Sequence, residues 1–137
     1  MSGWFRKWLG GPGTPLRGGP VTPRLKTYSS QTGYVYRYLY RGNRKTRRKG
    51  EDATEYAFDV SAGSLSGLNV SVVVPASSLQ PSQSTLGRLL AENERYAIAK
   101  MALFQAFDER PGPAAMRDEV LVRASDAAAI LATIGLA

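Results

Sequence analysis

The chain has no cysteine and no histidine among its 137 residues. The first absence excludes disulfides, thiolate metal sites and thiol nucleophiles. The second removes the commonest general base and the commonest metal ligand. Carboxylates, lysine, tyrosine and serine are left for chemistry, and no motif gathers them. There is no Walker loop, no Rossmann glycine fingerprint and no Gly-x-Ser-x-Gly elbow. The sequence therefore reads as non-enzymatic, without cofactor or metal. Long apolar runs are missing too: none approaches the roughly 18–20 residues of a membrane span. Met1 to Gly11 is too short and too charged for a secretory signal. The expected location is the cytoplasm, including the cytosolic face of a membrane.

Acid is absent from the first part of the chain. Residues 1–50 hold twelve lysines and arginines and no aspartate or glutamate, whereas residues 51–137 hold the other six cations and all eleven acids. A protein that only had to stay soluble would intersperse its signs. Separating them builds a field, so that one end seeks a polyanion or an anionic surface. The expected partner is a larger protein complex, RNA or DNA phosphate, or an anionic membrane surface.

Residues 1–33 carry glycines at 10, 11, 13, 18 and 19 and prolines at 12, 15, 20 and 23, which break regular structure. They read as an extended basic tail, of a composition that would be disordered when free and that a bound partner would order. Within it, Trp4, Phe5, Trp8 and Leu9 would share one side of a short helix, opposite Arg6 and Lys7. Such a segment suits a tail anchor, docked in a protein groove or resting on a membrane interface.

Residues 34–137 read as one small α+β domain of order β-β-β-α-β-α, an antiparallel meander packed on helices. The 43 % of residues that are hydrophobic suffice for one core. Tyr34, Tyr36, Tyr38 and Tyr40 alternate on one face of a first strand ending at Arg41. That face suits packing under a helix; its second use would be a stacking platform flanked by Arg37 and Arg41. Residues 41–50 contain six cations between two glycines and read as a hairpin loop. Arg37, Arg41, Arg44, Lys45, Arg47, Arg48 and Lys49 are the candidate polyanion-binding residues.

Glu55–Val60 and Leu68–Val74 alternate as second and third strands, with Pro75 stopping the latter. Residues 76–84 look like a polar connector. A helical piece is expected over Leu86–Ala91, and the main helix over Glu92–Glu109, whose apolar stripe would cover the sheet. Glu119–Arg123 suits a fourth strand. Ser125 or Asp126 would cap a last helix over Ala127–Ile134.

One local pattern resembles the PilZ domains, which bind cyclic di-GMP. Arg44-Lys45-Thr46-Arg47-Arg48 matches their Arg-x-x-x-Arg stretch, and Asp59-Val60-Ser61-Ala62-Gly63-Ser64 is similar to their Asp/Asn-x-Ser-x-x-Gly stretch, with Ser64 in place of the last glycine. The resemblance covers about twenty residues. It implies a regulatory module in which Arg44, Arg48, Asp59 and Ser61 hold a cyclic dinucleotide.

Overall fold

A computed structural model describes residues 14–136. The protein is α+β: a curled five-stranded sheet with three helices. Its strands are β1 (Lys26–Ser29), β2 (Val35–Arg48), β3 (Glu51–Ala62), β4 (Leu65–Pro75) and β5 (Val120–Leu121), arranged in that spatial order. The first four pair antiparallel. β5 returns after the helices and pairs parallel to β4, with the Val122 N–H donating to Val73 O at 2.9 Å. The helices are α1 (Ala76–Leu86), α2 (Glu92–Glu109) and α3 (Ala124–Thr133), with a 3-10 turn at Pro113–Arg117. No helix among the described residues is long and apolar enough to cross a membrane.

Period-two alternation builds the floor of the core. Tyr36 and Tyr38 on β2, Tyr56, Phe58 and Val60 on β3, and Leu68, Val70 and Val72 on β4 are all buried on one face. α2 covers that face with Ile98, Ala102, Leu103, Ala106 and Phe107. Aromatic rings form the seam. Tyr36 stacks on Phe107 with centroids 4.1 Å apart, and Tyr38 meets Phe104 edge-on at 5.5 Å. Tyr40 and Tyr96 lie 4.6 Å apart at the other end of α2. The tyrosine strand is therefore first of all a core strand, as half-buried aromatics favour.

Four expectations from sequence are corrected. Residues 41–50 are not a loop, because β2 and β3 stay paired as far as Arg48 and Glu51. The turn is only Lys49-Gly50, with φ of 52° and 79°, the left-handed pair that a two-residue hairpin turn requires. Second, the chain before residue 33 supplies β1, which pairs with Val35–Tyr38. Third, the polar connector is helical. Glu51 accepts from the backbone and hydroxyl of Ser77, each at 3.0 Å, and the buried Ser78 hydroxyl donates to Val122 O at 2.6 Å. These tertiary contacts override the low propensity of a Ser/Pro-rich segment that contains Pro81. α1 ends at Gly87, left-handed at φ 73°, so Gly87–Ala91 is not helical. Fourth, α3 begins at Ala124; Asp126 caps it from inside by accepting the Arg123 N–H at 2.9 Å. The order is thus β-β-β-β-α-α-β-α.

A cationic groove beside the first turn of α2

β2 is much longer than the helix that covers it. Fourteen residues of strand span about 46 Å at ~3.3 Å each, and eighteen residues of helix span about 27 Å at ~1.5 Å each. Past the first turn of α2 the concave sheet is left uncovered. A cavity of about 710 Å³ opens there.

A β-bulge decides what lines it. The β2–β3 register shifts between Tyr40 and Gly42, with Tyr40 opposite Phe58 and Gly42 opposite Ala57. The extra residue, Arg41, reverses the phase of the strand. Up to the bulge, Tyr36, Tyr38 and Tyr40 point inward. After it, Asn43 and Lys45 do so, opposite Tyr56 and Thr54. Lys45 Nζ donates to Thr54 Oγ1 at 3.2 Å. Without the bulge Lys45 would lie on the outer face.

The chain before β1 forms the second wall. Arg17 and Asn43 exchange both backbone hydrogen bonds at 2.7 Å, which sets Arg17 on the same face as Asn43. Lys26 pairs with Tyr38 and joins that face too. Two glycines permit this seam. A Cβ on Gly42, at φ 124°, would meet Arg17 O at 2.7 Å, and one on Gly19 would meet Arg41 O at 2.6 Å. We call residues 14–25 the strap.

The third wall is α2, with Glu92, Asn93, Arg95 and Tyr96. Its first turn is fixed by Glu94, which accepts from the Ala91 N–H at 2.8 Å and from both Arg88 terminal nitrogens at 2.8 and 2.9 Å. The Arg88 hydrogen bonds, then the Ala91 N–H, hold the Glu94 carboxyl down at about 2. Arg95 is anchored by the Leu90 carbonyl.

Arg17, Arg24, Lys26, Lys45 and Arg95 therefore line one cavity, with Glu92 as its single carboxylate. None of these five cations has a carboxylate partner among the described residues. Arg44 borders the cavity but is engaged, 3.4 Å from Glu55 and donating to Thr14 O at 3.1 Å. Burial, then the charge of Lys26, lowers the pKa of nearby Lys100.

Four tyrosines complete the lining: Tyr38, Tyr40, Tyr56 and Tyr96. Burial raises all four phenols, Tyr56 to about 12. They stay protonated, so each keeps an O–H to donate. Tyr40 Oη accepts from Asn43 Nδ2 at 2.9 Å, which leaves its own proton to give. A bound anion would meet guanidinium, ammonium and phenol donors together.

The residues singled out from sequence scatter. Lys45 and Arg44 are at the groove. Arg41 pairs with Asp59 at 3.1 Å on the outer face, Arg47 with Asp52 at 2.6 Å at the tip, and Arg48 with Glu119 at 3.0 Å. Arg37 is exposed on the outer face and Lys49 at the turn. Trp4, Phe5, Trp8 and Leu9 lie outside the described residues. The four residues of the PilZ-like pattern are not brought together: Arg44, Arg48 and Asp59 each pair with a different partner along the β2–β3 ribbon. Sequence reasoning missed Arg17, Arg24, Lys26, Asn43 and Arg95. The signal that bore on the first four was the acid-free stretch; nothing in sequence marked Arg95. No family model matches the chain, and neither a curated protein nor a solved structure is significantly similar to it.

Proposed function

We propose that the protein is a non-catalytic interaction module that docks on a larger anionic assembly by holding nucleic-acid phosphates in this groove. One observation carries the reading. Of the cations of the outer face and hairpin, Arg41, Arg47 and Arg48 are each neutralised by a carboxylate, and Arg37 and Lys49 stand far apart at opposite ends of β2. Arg17, Arg24, Lys26, Lys45 and Arg95 converge without one among the described residues. Leaving like charges together costs stability, and a bound anion repays it. A basic groove with tyrosines in its walls is the chemistry that holds a sugar-phosphate chain. The raised phenols of the groove favour binding over proton abstraction, since a general base works near its operating pH.

The test is an affinity comparison with a short oligonucleotide. Arg24→Ala/Lys45→Ala removes two exposed groove cations. Arg47→Ala/Lys49→Ala removes two at the hairpin tip. The groove pair is expected to weaken binding about tenfold or more and to reduce the salt slope by about 1.4, at ~0.7 per phosphate contact on a single strand. The tip pair is expected to change affinity by less than about threefold. Equal losses for both pairs would return the contact to the hairpin.

A further inference from the structure

We infer that the groove takes a single strand and not a duplex, and that the bound strand pins the strap to the sheet. The inference rests on the phosphate reading above and concerns which form of nucleic acid fits. The first observation is shape. The groove is concave, with Tyr56, Thr54 and Lys45 at its floor and cations on opposite walls: Arg17, Arg24 and Lys26 on the strap and β1, Arg95 on α2. A duplex carries its phosphates on a convex, stiff surface and reaches only a rim. A single strand bends, so adjacent phosphates can turn inward while a base lies against a ring. Tyr40 and Tyr96, each half-buried and lining the cavity, are the rings in place for it.

The second observation is how the strap is held. The Arg17–Asn43 pair and the Arg44 hydrogen bond to Thr14 O hold its start, and β1 begins at Lys26. Between them, residues 18–25 make no backbone hydrogen bond to the sheet, and Pro20 and Pro23 have no N–H to offer. Val21 is fully exposed. The strap cations face Lys45 and Arg95 across the cavity, like charge toward like. Phosphates between the walls reverse that sign and draw the strap onto the sheet.

Trypsin reads this directly, because it cuts after Arg17, Arg24 and Lys26, all exposed. The full chain is digested alone, with oligothymidylate of about twelve nucleotides, with a DNA duplex of the same length, and with tripolyphosphate. Binding of each is measured in parallel by fluorescence anisotropy or calorimetry. The single strand is expected to slow strap cleavage about tenfold at concentrations where the duplex leaves it unchanged. Equal or stronger protection by the duplex overturns the single-strand inference and leaves the phosphate reading standing. Protection by tripolyphosphate and not by the oligonucleotide makes the groove a small-molecule polyphosphate site and overturns it likewise. Binding of the single strand without protection overturns the pinning of the strap. If none of the three binds, the phosphate reading itself falls.

Discussion

Lys45 and Thr46 show how one residue sets the site. They are neighbours in a run that reads as uniformly basic, yet Thr46 is 7 % exposed and Lys45 lines the groove. Strand alternation separates them, and the bulge at Arg41 chooses which one points inward. Tyr36 tests a different feature. It is fully buried, and its hydroxyl has no hydrogen-bond partner among the described residues. Tyr36→Phe is therefore expected to keep stability within about 1 kcal/mol of wild type, or raise it. Phe107→Ala, which removes the ring stacked on it, is expected to cost about 3–5 kcal/mol. Urea denaturation measures both. The phenols also set an alkaline limit. Tyr28 is raised to about 12 by its 2.7 Å hydrogen bond to Asp108, and Tyr56 to about 12 by burial. A raised folded pKa gives stability that is fully present below the ordinary value of about 10. That stability is lost as pH climbs through 12. Tyrosinate absorbance and near-UV dichroism should then change together late in this window. A separate, earlier ionisation of all tyrosines in a folded chain would contradict the packing described.

At the scale of elements, the legible parts were those whose pattern is local. The inward tyrosines of β2, the alternation of β3 and β4, and the apolar stripe of α2 follow from period. The illegible parts depend on distant partners. α1 forms because Glu51 and Val122 satisfy its polar residues, and β1 forms because Val35–Tyr38 offers an edge. The basic hairpin read as a loop because Arg and Lys hide strand alternation. Its carboxylate partners, Glu55, Asp52 and Glu119, come from β3 and the approach to β5. The strap seam yields a sharp prediction. Gly42→Ala puts a methyl 2.7 Å from Arg17 O at a left-handed φ, so backbone must move. Amide exchange at Arg17 and Asn43 is expected to accelerate while the Phe58 and Val70 amides stay protected. The first turn of α2 has its own pH window. Glu94, held at about 2, stabilises the folded state above its ordinary value of about 4.3, and this is lost as pH falls through 2. Glu94→Gln should flatten that acid limb in a dichroism titration; an unchanged limb would assign it to other carboxylates.

For the whole molecule, the separation of charge in the sequence does not say where the cations without a carboxylate gather. Four of the six cations at residues 41–50 are paired internally with acids that follow them. The surplus gathers where the strap, the bulged strand and the start of α2 meet. No local motif encodes that meeting, because its contributors lie at residues 17–26, 40–56 and 92–96. The most direct measurement is a map of amide and side-chain NMR shifts during titration with the single-stranded oligonucleotide. A strand in the groove moves Arg17, Lys26, Asn43, Lys45, Thr54 and Arg95 first and furthest, leaving Arg37, Arg41 and Lys49 quiet. Shifts centred on Arg37, Arg41 and the Lys49 turn, with the groove unmoved, would contradict the claim that this groove is where the protein holds its partner.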